Sequence, residues 1–338
     1  VKHGRLLPGK LPIKLLQKFL KRYTSKNKGV IIGPAVGIDA AVIKFGGGYL
    51  IAKTDPITFV AEDIGHYAIH INANDIATMG GRPRWFLADI LLPEGKTTPE
   101  LVEKIFSQLS RSCRELDISF CGGHTEITFG IDRPIVIGQM LGEIQKGRPV
   151  TASGARVGDD IILTKGIAIE GVSVLAREKE KILQREFSPS FIRRCKRIIK
   201  TPGLSVLKEA QLASSLGKIH AMHDPTEGGL ATGLHELAIA SGVGVLVRRE
   251  DIPILRECRI ICEYFGIDPL GVIASGALLI TLHPGYTKRV IEGLNKEGIR
   301  ANVIGKITEK KKGVKIIEDG KIKSLPLFER DEITKVLR

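Results

Sequence analysis

Cysteine and aromatic residues are scarce in this chain. Its 338 residues hold five cysteines and one tryptophan, and aromatic side chains make up 5% of the total. The cysteines, at positions 113, 121, 195, 258 and 262, form no CxxC pair, and an odd, low count at this length argues against a disulfide framework. Cys258 and Cys262 are one helical turn apart, a spacing that two packed small side chains share with a ligand pair. Long apolar runs are missing too. None approaches the roughly 20 residues a membrane span needs, and the first residues alternate Lys and Arg with Leu where a signal peptide has an apolar core. The expectation is a cytoplasmic protein with no membrane partner.

Charge of one sign dominates what is present: 51 Lys plus Arg against 37 Asp plus Glu, a net +14. A basic surface attracts polyanions. No DNA- or RNA-binding signature accompanies it, and few aromatics are available to stack on bases, so a solvated Lys/Glu-rich, thermophile-like surface is favoured over a nucleic-acid partner. The length suits two domains of about 150 residues each.

Periodicity places the elements. Ile13, Leu16, Leu20 and Tyr23 predict an amphipathic helix over residues 11–23. Three short β-branched runs follow, the last two joined at Gly46-Gly47-Gly48, which reads as a hairpin turn because a phosphate loop would need a strand-turn-helix context. Ile64, Ala68, Ile71 and Met79 mark one face of a helix stopped by Gly80-Gly81. A strand at RWFLADILL, a helix from Thr98 to Leu116 and a strand at ISF lead to the segment CGGHTEIT (Cys121 to Thr128), read as a Gly-rich loop. A second series of helices and strands begins near SGARVGDDIILTK and includes a Gly-opened helix at HDPTEGGLATGLHELAIASG. Low-complexity linkers are absent, so only the Gly-Arg-Pro punctuation marks a boundary, near Gly147 to Thr151. The architecture is α/β in two domains.

Four acids stand in otherwise apolar or small-residue segments: Asp39 at the start of a strand, Asp55 at the end of one, Asp75 on a helix, and Asp224 before the Gly-rich helix. Each alone could cap a helix or close a turn. Together they suit Mg²⁺, which takes oxygen ligands and is commonly held by a few carboxylates plus substrate phosphates. The helix opening at DPTEGGL offers backbone N–H groups to a phosphate. These parts describe a Mg-nucleotide site. His66 and His70, one helical turn apart with Asn74 another turn on, have metal-compatible spacing but no third soft ligand nearby in sequence. His223 reads as a residue shaping the Asp224 turn, and Glu126 and Glu227 are candidate acids or bases with solvated carboxylates as the plain alternative.

The ordered set GIDAAVI, TDPITF, DIGHYAIHINANDIATMGGRPRWFL, CGGHTEIT and HDPTEGGLATGLHELA resembles the aminoimidazole-ribonucleotide synthetase (PurM-like) superfamily of ATP-using enzymes. The likeness spans most of the chain. Its N-terminal half looks like thiamine-monophosphate kinase, and its C-terminal half looks like the hydrogenase-maturation protein HypE, so a HypE-like branch is the best resemblance. The resemblance implies an N-terminal ATP-binding and dimerisation domain over residues 1–148 that forms a dimer-interface β-barrel, and a C-terminal α/β domain over 149–338. It implies a homodimer that binds ATP and Mg²⁺. Carried over by position, Asp39, Asp55, Asp75 and Asp224 match acids that hold Mg²⁺ or face phosphates. Asn72 and Asn74 flank Asp75 at motif asparagines, and Lys53 could approach a phosphate as a point charge, a surface lysine on a strand edge being the alternative. Gly122, Gly123, Thr125, Thr226, Gly228 and Gly229 line the two expected phosphate turns.

The departures from the pattern carry information as well. The family often has GDDAA where this chain has Gly37-Ile38-Asp39, so one of two adjacent acids is absent. HypE proteins end in a cysteine that is carbamoylated and dehydrated, whereas DEITKVLR here contains none. His124 stands where the kinases and HypE have Asp. An imidazole there could pair with a phosphate, bind a transition metal better than Mg²⁺, or only pack the loop. Asp55, Asp75, His124 and Asp224 are the expected catalytic residues. In-line phosphoryl transfer needs alignment and charge neutralisation more than covalent help. Three readings stay open: activation of an amide or carbonyl oxygen on a small-molecule or protein-bound substrate, a thiamine-monophosphate-type kinase, and a non-catalytic nucleotide-binding partner of a maturation protein.

Overall fold

The structure, a computed structural model, describes residues 6, 9–25, 27–144, 147 and 149–337. The described residues leave out most of the Lys/Arg/Leu start, Arg148 of the Gly-Arg-Pro punctuation, and Arg338. Two compact units are present. The N-terminal unit comprises residues 27–33 and 39–149; the C-terminal unit comprises 150–338 with 1–26 and 34–38.

Helix α1 (Ile13–Tyr23) forms where the apolar period expects it, with Lys21 and Arg22 in its last turn beside the helix's negative end. The N-terminal unit is built on one six-stranded sheet of β1 (Val30–Ile32), β2 (Ala41–Phe45), β3 (Gly48–Ile57), β4 (Arg82–Pro93), β5 (Ser119–Thr128) and β6 (Ile135–Ile144), in the order β1-β2-β3-β6-β4-β5. Phe45 pairs with Gly48, so the glycine run is a tight hairpin turn. Neighbours are antiparallel except β4 and β5. That parallel pair requires a crossover, which helix α3 (Pro99–Glu115) supplies, opened by Thr98 capping the Leu101 amide.

The expected β-barrel does not form. The sheet is open, because β1 is three residues long with an irregular register and pairs with β2, while β5 at the far end pairs with β4. Two further expectations change. The segment CGGHTEIT is strand β5 itself, laddered along β4 from Ser119 to Thr128, and not a loop. Gly123 explains how: a side chain there would run into the Ala88 carbonyl of β4, so this glycine permits the close strand approach. Helix α2 (Ile64–Thr78) is buried on all sides, with every residue but His66 inside, where the sequence marked only one apolar face.

The C-terminal unit follows with β7 (Asp160–Thr164), α4 (Ile169–Glu178), α5 (Glu180–Leu183), α6 (Pro189–Arg197), α7 (Leu207–Leu216), β8 (Ile219–His223), α8 (Gly229–Ser241), β9 (Gly244–Arg248), α9 (Arg256–Phe265), β10 (Leu279–Leu282), α10 (Pro284–Lys296), β11 (Ala301–Thr308), β12 (Val314–Glu318), β13 (Lys321–Ser324) and α11 (Thr334–Leu337). Its seven-stranded sheet runs β13-β12-β9-β11-β7-β10-β8. Ile161, Leu163, Leu230, Leu234, Val245, Leu279 and Ile304 form the core between that sheet and α8. Burial of this apolar surface, at about 25 cal/mol per Å², is the main force holding α8 and the turn before it in place.

Candidate functional site

In the N-terminal unit, α2 and the neighbouring strand β3 bring three charged groups together. The Lys53 ammonium lies 3.2 Å from Asp55 Oδ2 and 3.3 Å from Asp75 Oδ1. Lys53 and Asp55 are two apart on β3 and therefore share a face. Asp75 reaches them from the penultimate turn of α2 and is almost fully buried, while Asp55 keeps 32% of its side chain exposed. Lys53 is not on a strand edge, since β3 lies between β2 and β6.

Asn72 fixes this arrangement. Its Oδ1 accepts the Asp55 amide at 2.9 Å, and its Nδ2 donates to the Asp55 carbonyl at 3.3 Å and the Ala68 carbonyl at 2.9 Å. A side chain on Gly138, the β6 partner of Asp55, would collide with the Asn72 amide. Gly138 is therefore the space that lets α2 lie against the sheet. Asn74, also expected at the site, is fully buried on the same helix.

Asp39 is buried just ahead of β2. Asp55, Gly138, Ala88 and Gly123 stand level across four strands, facing α2, with Thr125 two residues beyond Gly123. His124 is level with exposed Asp89, so alternation puts it on the opposite face of the sheet. There it is 69% exposed, 3.4 Å from Glu126. The structure does not bring His124 to the Lys53 cluster.

In the C-terminal unit, β8 ends at His223 and delivers buried Asp224 to the turn before α8. Gly228 and Gly229 both have positive φ (84° and 68°), which glycine adopts without the Cβ clash. The helix opening is already satisfied in part. The Gly228 amide donates to Asp331 Oδ2 at 2.7 Å, and the Gly229 amide donates to the Thr226 carbonyl at 2.9 Å. Two of the amides expected to await a phosphate thus have protein acceptors.

The model for the AIR synthase related protein N-terminal domain matches residues 37–144, and that for the C-terminal domain matches 156–318. The chain belongs to the AIR synthase-related family. Within it, this family member is 28% identical over 321 residues to a protein of Methanocaldococcus jannaschii named for hydrogenase expression and formation, covering 90% of this chain and 91% of that protein. It is 29% identical over 278 residues to the carbamoyl dehydratase HypE of Azotobacter vinelandii, covering 80% and 78% of the two chains. A crystal structure of the hydrogenase maturation protein HypE in complex with ATP superposes with a TM-score of 0.71 at 23% identity, covering 93% of this chain and 91% of that one.

Sequence reasoning missed three residues of the family member's C-terminal unit. Asp331, fully buried, holds both the Gly228 amide and the Ile333 amide. Burial pushes its carboxyl up to about 7, against those donated hydrogen bonds, with the Glu227 charge adding to the rise. Glu170 on α4 is pushed up to about 8, first by burial and then by the charges of Asp331, Glu227 and Asp224, with the Ser275 hydroxyl working the other way. Lys10 ties its backbone amide to Glu227 at 2.9 Å and its ammonium to Glu236 at 3.3 Å. Burial alone would raise the Glu236 carboxyl, but Lys10 and His223 outweigh it and hold it down to about 2. His223 lies 3.1 Å from Glu236 and joins this network. An acid more than a hundred residues from the turn it caps leaves no local signal.

The oxygen-only donors Asp55 and Asp75 fit Mg²⁺, a hard cation. The Lys53 ammonium between them shows that the pair accommodates positive charge.

Proposed function

We propose that this chain is a Mg²⁺-dependent, ATP-using enzyme that transfers the γ-phosphoryl group to the carbonyl oxygen of an amide. The observation that carries the reading is the cluster of Lys53, Asp55 and Asp75, locked by Asn72. It offers two carboxylates for a metal and one cation for phosphates on a rigid, mostly buried frame. The ATP in the HypE structure of the same fold supports the nucleotide, and the name carbamoyl dehydratase of the A. vinelandii relative supports an amide acceptor.

Mg²⁺ held at this cluster would neutralise phosphate charge. Asp55 and Asp75 would hold it, with Asp39 assigned to metal binding on the family pattern. Lys53 supplies a point charge of the sign that phosphates need. Asn72 orients Asp55 by gripping its backbone on both sides. In the reaction, a bond from the amide oxygen to phosphorus forms as the bond from phosphorus to the β,γ-bridging oxygen breaks, releasing ADP. Departure of the amide oxygen as inorganic phosphate, with both amide N–H protons passing to water, leaves a nitrile. The family likeness also supports a homodimer, which light scattering at micromolar concentration tests: a dimer mass is expected, and a monomer alone would remove that part.

The function is tested by following phosphate release from Mg-ATP with carboxamides, thiamine phosphate and purine intermediates offered as acceptors. Carboxamide-dependent release with matching loss of the amide is expected. Stimulation by thiamine phosphate alone would assign a kinase, and nucleotide binding without turnover would assign a binding partner.

A further inference from the structure

We propose that His66, His70 and Glu115 form a site for zinc or a similar divalent transition metal, clipping α2 to the end of α3. His66 and His70 are one turn apart on α2 with ring centroids 4.1 Å apart, and Glu115 is the last residue of α3. One donor atom from each of the three lies within 4.8 Å of the other two. Tetrahedral zinc with bonds of 2.0–2.1 Å places its ligands about 3.4 Å apart, so modest side-chain adjustment closes the set. Two imidazoles with a carboxylate suit zinc and its neighbours and are poor ligands for Mg²⁺. The sequence showed the histidine pair but not its third ligand, which is supplied from 45 positions away by the packing of α3 on α2.

Two further features fit a metal. The Ser112 hydroxyl, one turn before Glu115, is 3.4 Å from His66 Nδ1 and can orient that ring, the task outer-shell partners perform at metal sites. His66 is half-buried and Glu115 is exposed, so an ion has a route to His70, which is only 6% exposed. Three protein ligands leave a fourth position for water. Asn72 and Asp75 follow on the next turns of α2, so an ion here would stiffen the helix that carries them. The site stands whether or not the chain turns over ATP.

The test uses the full chain, stripped with a chelator and titrated with Zn²⁺ in millimolar Mg²⁺, which occupies carboxylate-only sites. Competition with a chromogenic chelator reads affinity, and thermal melts read stabilisation. One zinc per chain at micromolar affinity or tighter is expected, with a rise in Tm from binding the folded state. Glu115→Gln and His66→Ala, both at positions open to solvent, should each weaken binding by about tenfold or more. His124→Ala, which removes the separate exposed pair with Glu126, should leave it intact. Unchanged zinc affinity in Glu115→Gln and His66→Ala, or binding no tighter than millimolar, would overturn the site and leave the histidines as packed neighbours.

Discussion

The acids beside Lys53 in the N-terminal unit and the acids around the turn before α8 in the C-terminal unit have different surroundings. In the N-terminal unit, Asp55 and Asp75 share the Lys53 ammonium, and Asn72 holds the backbone of Asp55, so two carboxylates sit together with a cation between them. In the C-terminal unit, Glu170 and Asp331 are inside, and burial together with neighbouring acids pushes them to about 8 and about 7. Acids are paired with a lysine in the first cluster, whereas in the second their carboxyls are pushed up by burial and neighbouring acids. A lysine reaches in between Asp55 and Asp75; Asp331 accepts the Gly228 and Ile333 amides, and its carboxyl still rises. Lys10 repeats the first solution on a small scale, holding Glu236 at about 2.

Removing the cation tests the first half of this contrast and has the largest expected effect. Lys53→Met leaves Asp55 and Asp75 facing each other without their shared partner, and phosphate release should fall about 100-fold or more, the scale seen when a preorganised electrostatic group is lost. The second half is tested by pH. The folded-state pKa of Glu170 is raised from 4.5 to about 8, so the folded chain binds a proton that the unfolded chain has lost. Stability should therefore fall as pH rises from about 4.5 to about 8 and level off above that. Glu170→Gln should flatten this slope and raise Tm by several degrees at alkaline pH, read by thermal melts across the range.

Part of this was legible in the sequence. Helices α1 and α3 followed the apolar period, and the Phe45–Gly48 hairpin followed its glycines. The buried character of α2 was not, because a helix covered on every side has no contrasting face to show; its alternation of Ile and Ala with Asn and His looked amphipathic. Strand β5 was hidden by its two glycines, which in isolation signal a turn, while in the sheet Gly123 admits the Ala88 carbonyl. At the site, the acids were visible as polar residues in apolar surroundings. The grip of Asn72 on Asp55 spans 17 positions and that of Asp331 on Gly228 spans 103, and neither leaves a local pattern.

A smaller effect probes the frame. Gly138→Ala pushes a methyl group into the Asn72 amide and the Phe86 ring, and should cost about 1–3 kcal/mol by overpacking. Chemical denaturation measures the cost, and nucleotide affinity should fall with it, since Asn72 orients Asp55. The smallest effect is expected at His124. It lies on the sheet face away from Lys53, so His124→Ala should keep ATP affinity within about twofold of the unaltered protein at neutral and mildly acidic pH, a difference below about 0.4 kcal/mol. A larger, acid-dependent loss would restore the histidine to the phosphate site.

The most direct measurement is calorimetric titration of Mg-ATP into the unaltered protein and into Asp75→Asn, which keeps the shape of the side chain and removes its charge. The account predicts clear binding to the first and a loss of about tenfold or more in the second, about 1.4 kcal/mol, with the same circular dichroism and melting cooperativity. Equal Mg-ATP affinity in both proteins would contradict the assignment of Lys53, Asp55 and Asp75 as the nucleotide site.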